Sequence, residues 1–143
     1  MKIRIINGPN INFLGIREPS IYGTMTYNEL TEKLIQYGKE NNIEITIYQT
    51  NHEGKIIDLL QESHYDNNTL AVIINAGGYT HTSIAIRDAI SSINKDVFEV
   101  HLSDINKRES FRQISYLTDV CKKTFMGKGI NSYIDAINYI IKK

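Results

Sequence analysis

Arg17 and Tyr22 stand five residues apart in a polar stretch that follows directly on an apolar run, Ile3 to Ile6. A phenol is a poor base at its ordinary pKa of roughly 10. A nearby cation lowers that value by favouring the phenolate. The pair therefore reads as an activated tyrosine on a mobile lid, with Asn10 adding a side-chain amide. A second pair, Glu99 and His101, lies two residues apart in another apolar run, so both side chains leave a strand on one face. A carboxylate beside an imidazole fixes its tautomer and favours the protonated ring, which suits a general acid. The two pairs thus offer a candidate base and a candidate acid. A third polar group, Asn75 with Thr80, His81 and Ser83, follows the most apolar run of the chain.

These residues share one address if the chain forms alternating strands and helices. Strands are expected at about Ile3–Asn7, Glu44–Gln49, Leu70–Asn75, Val97–His101 and, more weakly, Lys123–Met126. Between them lie helix-period segments. Thr26 to Glu29 has capping-box form, and Leu30, Leu34, Ile35 and Gly38 then mark one helical face. A short helix carries Ile56, Ile57, Leu59 and Leu60, another spans about Ser83–Ser92, and a last one about Ser132–Ile141. Connections too long for hairpins argue a parallel, doubly wound α/β sheet with helices on both faces. Five strands of this kind default to the flavodoxin-like order 2-1-3-4-5, in which strand carboxyl ends converge on one crevice. The expectation is a single domain over residues 1–143.

Several residues have plainer readings. Ser83 suits a helix N-cap, and Gly77 and Gly78 suit a tight turn. His52 and His64 read as structural. Arg108 and Arg112, spaced i and i+4, fit one helical face and, taken alone, read as a solvated face rather than a site.

Composition removes whole classes of function. The 16 basic and 16 acidic residues cancel, so nothing points to nucleic acid or an anionic membrane as partner, and a small anion needs only a local positive site. No apolar run approaches the ~20 residues of a membrane span. One cysteine, Cys121, excludes an internal disulfide and fits a reducing cytoplasm, and the chain opens straight into a strand rather than a signal peptide. HExxH, CxxC and a carboxylate triad are all absent, as are GxGxxG in the first turn and a P-loop. Neither a metal nor a nucleotide cofactor is expected.

The motifs Asn7-Gly8-Pro9-Asn10, Arg17-Glu18-Pro19, Tyr22-Gly23, Asn51-His52-Glu53-Gly54, Ile74 to Ser83, Asp88-Ala89, Glu99 to Ser103 and Arg108 to Arg112 occur in that order. In this the chain closely resembles the type II 3-dehydroquinate dehydratases over nearly its whole length. The resemblance implies cofactor-free anti elimination of water from 3-dehydroquinate, giving 3-dehydroshikimate through an enolate, as in the shikimate pathway of aromatic amino acid biosynthesis. It implies that Tyr22 is the base, that Arg17 and Arg108 depress its pKa, and that Asn10 stabilises the enolate. His101, oriented by Glu99, would protonate the departing hydroxyl. Asn75, His81 and Arg112 would hold ring hydroxyls, while Leu102 and Ser103 would bind the substrate carboxylate. Asp88 would reach a neighbouring subunit's site, in a homo-oligomer of trimers forming a dodecamer. Gly78 and Asp104 depart from the family's usual alanine and asparagine, the first expected to loosen the turn carrying His81, the second to weaken substrate binding if it points inward. The alternatives are a non-catalytic flavodoxin-like module that binds a small acid, and a sibling enzyme acting on another β-hydroxy ketone ring acid.

Overall fold

Isoleucine-rich runs form the centre of the fold because a strand covered on both faces must be apolar throughout. The computed structural model describes residues 1–22 and 24–142, the side chain of Tyr22 excepted. Strands β1 (Lys2–Asn7), β2 (Glu44–Gln49), β3 (Thr69–Asn75), β4 (Asp96–His101) and β5 (Lys123–Met126) make one sheet in the order β2-β1-β3-β4-β5. Every pairing is parallel. Helices α1 (Pro19–Tyr22), α2 (Tyr27–Glu40), α3 (Glu53–Tyr65), α4 (Ile84–Ser92) and α5 (Ile130–Ile141) complete the chain with four short 3-10 turns. The expected fold class and strand order are those observed.

Two cores sandwich the sheet. On one face Ile3, Ile5, Ile73 and Phe98 pack with Leu30 and Leu34 of α2 and Tyr133 and Ile137 of α5. On the other, Ile6, Val72, Ile74 and Val97 pack with Ile56 and Leu60 of α3 and Ile86 and Ile90 of α4. The capping box of α2 is formed: the Glu29 amide donates to Thr26 Oγ1 at 3.1 Å, and the Thr26 amide donates to Glu29 Oε1 at 3.4 Å. Within that helix Gly38 is required by proximity, since a Cβ there would lie 2.7 Å from the Ile43 carbonyl and closer still to Ile45.

Chain segments leaving β1 and β3 diverge to opposite sides of the sheet, which opens a crevice at their carboxyl ends. The segment after β1 is more ordered in form than a plain loop: a 3-10 turn at Ile11–Phe13 precedes α1. Helix α5 starts at Ile130, ahead of the expected Ser132, because Gly129 with φ +57° serves as its N-cap. The shared helical face expected of Arg108 and Arg112 does not form. Arg108 is in extended backbone at the end of the turn Ile105–Lys107, and Arg112 closes a separate turn, Ser110–Arg112. That stretch has no apolar stripe to hold an α-helix against the sheet. Asp104 instead caps the first turn, its Oδ1 accepting from the Asn106 amide at 3.0 Å.

Candidate active site

Carboxyl ends of β1, β3 and β4 border a cleft of about 240 Å³. Asn10, Arg17, Asn75, His81, His101, Leu102, Ser103, Arg108 and Arg112 all line it. Of the residues singled out in the sequence, these nine therefore converge. Glu99 lies behind His101 and is fully buried. Asp88 is exposed on α4 and does not line the cleft. The side chain of Tyr22, and Gly23 after it, lie outside the described residues.

The dyad on β4 has the geometry its spacing demands. His101 Nε2 is 2.6 Å from Glu99 Oε2. Glu99 accepts further hydrogen bonds from Ser115 Oγ at 2.7 Å, Thr118 Oγ1 at 2.6 Å and Thr124 Oγ1 at 2.8 Å. Burial works against the Glu99 charge, but the His101 contact and the hydroxyls of Thr118 and Ser115 outweigh it and hold the carboxyl well below the usual carboxylate range. With Nε2 engaged, Nδ1 is the His101 nitrogen left to exchange a proton with a ligand. The dyad can therefore hold and release one proton at the cleft wall.

His81 is fixed in a comparable way. Its Nδ1 lies 2.8 Å from the Ile114 carbonyl, an oxygen that can only accept. Nδ1 thus carries the hydrogen, and Nε2 presents a lone pair suited to a hydroxyl donor. Asn75 is held from two sides: its Nδ2 donates to Tyr133 Oη at 3.0 Å, and its Oδ1 accepts from the Gly77 amide at 3.3 Å. Tyr133 Oη donates in turn to Asn7 Oδ1 at 2.6 Å, and Asn7 Nδ2 donates to Tyr27 Oη at 3.3 Å. Burial raises the pKa of both tyrosines, so they remain neutral links in this chain. Gly77 has φ +61°, and a Cβ there would sit 2.9 Å from the Pro9 carbonyl, which locks the β3 turn against the β1 turn.

Three arginines make the cleft locally positive in a chain of zero net charge. Arg108 donates to Ser103 Oγ at 3.1 Å, and Arg112 Nε bonds Glu109 Oε1 at 3.0 Å. Arg17 lies 3.7 Å from Glu18. Asn10 has φ +69°, and its amide donates to Asn51 Oδ1 at 3.1 Å, which pins the segment after β1 to the β2 turn. Gly78 and Asp104, the two departures from the resembled motifs, have different surroundings. A Cβ on Gly78 would meet nothing within 4 Å, so the loss of a methyl opens no gap. Asp104 is engaged with its own turn and does not line the cleft. Ser83 caps α4 as expected, accepting from the Ile86 amide at 2.9 Å, and its hydroxyl also donates to Glu53 Oε2. His64 is structural, accepting from the Asn94 amide at 3.1 Å.

Sequence reasoning did not single out Ser115, Thr118, Thr124 or Tyr133. None carried a sequence signal, although the structure makes Thr124 the register partner of Glu99 across β4 and β5. Among the described residues no group of three or more His, Cys, Asp or Glu could hold a metal ion. No helix among them is long and apolar enough to cross a membrane.

Residues 1–141 match the family model described as dehydroquinase class II. The chain is 51% identical to a 3-dehydroquinate dehydratase of Lachnoclostridium phytofermentans, over 99% of this chain and 97% of that protein. It is 47% identical to a 3-dehydroquinate dehydratase of Francisella tularensis subsp. novicida, over 100% and 99% of the two chains. The crystal structure of a type II dehydroquinase from Butyrivibrio crossotus superposes with a TM-score of 0.96 at 49% identity, covering 99% of this chain and 97% of that one. A second, from Propionibacterium acnes, gives 0.94 at 35% identity over the same shares.

Proposed function

The chain belongs to the class II dehydroquinase family, and from that premise we propose that it is a 3-dehydroquinate dehydratase, acting as a single domain over residues 1–143. The observation that carries this reading is the buried Glu99–His101 pair opening onto a cleft with three arginines. Such a cleft suits a small ring acid that must lose a proton at one carbon and a hydroxyl at the next.

Tyr22, as phenolate, removes the proton from the carbon α to the ketone. The electron pair moves onto the carbonyl oxygen, and Asn10 stabilises the enolate formed there. The enolate collapses, the carbonyl re-forms and a double bond develops between the α and β carbons. The β-hydroxyl leaves with a proton from His101 as water. Tyr22 gains one proton and His101 loses one, and exchange with solvent resets both. Arg17 and Arg108 favour the Tyr22 phenolate. Lid closure excludes water and strengthens that interaction.

Binding follows the same geometry. The Nε2 lone pair of His81 takes a ring hydroxyl, with Asn75 and Arg112 on the others. The amides of Leu102 and Ser103, with the Ser103 hydroxyl, take the substrate carboxylate; Arg108 already fixes that hydroxyl. The exposure of Asp88 away from its own cleft supports a role toward a neighbouring subunit in a dodecamer of trimers. One free cysteine fits a cytoplasmic enzyme.

Purified protein with 3-dehydroquinate should generate ultraviolet absorbance from the conjugated enone, and the rate should survive a chelator and borohydride pretreatment. Tyr22→Phe should abolish that rate while ligand still raises the thermal midpoint. No enone from the unaltered protein, with ligand still bound, would turn the reading to a binding module.

A further inference from the structure

We propose that Ser115, Thr118 and Thr124 are positioning residues for the reaction's acid, a hydroxyl cage that sets how tightly His101 holds the proton it delivers. The inference rests on the reading of His101 as that acid. A carboxylate offers about four lone-pair sites, and here all are used. Oε2 faces His101 Nε2 and Ser115 Oγ, while Oε1 faces the hydroxyls of Thr118 and Thr124.

Each hydroxyl has one hydrogen, and each commits it to Glu99. The carboxylate therefore cannot turn, and because these contacts hold its carboxyl well below the usual carboxylate range it does not draw the proton across the Nε2–Oε2 hydrogen bond. His101 Nε2–H must remain the donor to Glu99, so the mobile proton is confined to Nδ1. Three neutral donors also share the carboxylate's charge density. A bare buried carboxylate would grip an imidazolium strongly, and a general acid that holds its proton too tightly transfers it poorly. The cage relaxes that grip while keeping Glu99 ionised.

The donors come from two separate segments, which argues for selection of the contact rather than accident of one element. Ser115 sits in the loop after the Ser110–Arg112 turn and also accepts from the Leu117 amide at 3.1 Å. Thr118 follows in the same segment, and Thr124 stands opposite Glu99 on β5. Few other ionisable groups face the dyad. Cys121 is half-buried nearby, its thiol pushed up by desolvation and by the Glu99 and Asp119 charges, and Asp119 is itself held by Arg87. Across the cleft stand His81, Arg17, Arg108 and Arg112.

The test is the pH dependence of kcat for Thr118→Val and Thr124→Val, each of which removes one donor at nearly constant shape. Each should move the alkaline limb of kcat upward by about half a unit to one unit and lower its plateau roughly three- to ten-fold, with KM held within about two-fold. Thr118→Ser, which restores a donor, should return the profile toward the starting one. Profiles that superimpose on the unaltered enzyme, with only thermal stability reduced, would overturn the proposal, as would a raised KM at constant kcat. His101→Ala separates the two levels: if it retains the full rate, the assignment of the acid is wrong, whatever the cage variants show.

Discussion

Tyr133→Phe is the substitution whose cost can be worked most directly from contacts. The ring stays, so packing in the α5 core is preserved, and only the hydroxyl is lost. That hydroxyl accepts from Asn75 Nδ2 and donates to Asn7 Oδ1, and all three residues are buried. Two buried polar groups would lose their partner at once. Asn75 Oδ1 keeps the Gly77 amide and Asn7 Nδ2 keeps Tyr27, so neither side chain is wholly orphaned. At about 1–3 kcal/mol per unsatisfied buried group, the lower half of the range applies, giving about 2–4 kcal/mol in all. For a domain of this size that corresponds to a fall of about 10 °C in thermal midpoint. Urea unfolding should show the same loss as a lower midpoint at unchanged slope. Activity should fall too, because the Asn75 carboxamide is then held by Gly77 alone and is free to rotate at the cleft wall. A double-mutant cycle with Asn75→Ala provides the check, since Tyr133→Phe should cost clearly less once Asn75 is absent. Stability within about 0.5 kcal/mol of the starting protein, or strict additivity in the cycle, would refute the argument.

Gly78→Ala should leave rate and stability within about 0.5 kcal/mol of the original, whereas Gly77→Ala should cost several times that in a thermal melt, because Gly77 has φ +61° and would meet the Pro9 carbonyl. The buried Glu99 carboxyl contributes to the acid limb of the stability profile. Its folded pKa lies below the unfolded value of roughly 4.3, so its contribution is complete above that pH and is lost as the pH falls toward the folded value of about 2. Chemical denaturation across that window should show falling stability, and Glu99→Gln should flatten the dependence.

Long apolar runs made the sheet legible. β2 and β5 have the bounds expected from sequence, and β1, β3 and β4 differ by one residue at their starts. The Glu99–His101 pair was legible for the same reason, since strand alternation alone puts two residues on one face. Arg108 and Arg112 show where the reasoning fails. Their spacing satisfies a helical rule, but residues 104–112 hold their shape through local caps such as Asp104, which periodicity does not register. The hydroxyls around Glu99 were hidden by distance along the chain: Ser115, Thr118 and Thr124 meet it across separations of 16, 19 and 25 residues. Tyr133 was hidden by its setting, since an aromatic on the apolar face of a helix reads as filling, and its partners Asn75 and Asn7 are 58 and 126 residues away.

The arginines of the cleft have acidic neighbours on their outer side, and this decides how a substrate arrives. Glu18 sits 3.7 Å from Arg17, and Glu109 lies 3.0 Å from Arg112 and 3.6 Å from Arg108. Seen from a Debye length away, roughly 8 Å at physiological salt, the two glutamates offset two of the three guanidinium charges, on a chain that is neutral as a whole. An approaching anion therefore feels only a weak long-range pull. At the rim the three guanidinium groups lie within direct reach of a bound anion. Discrimination thus operates at contact, among molecules already at the threshold, and the rate of first encounter should depend little on ionic strength.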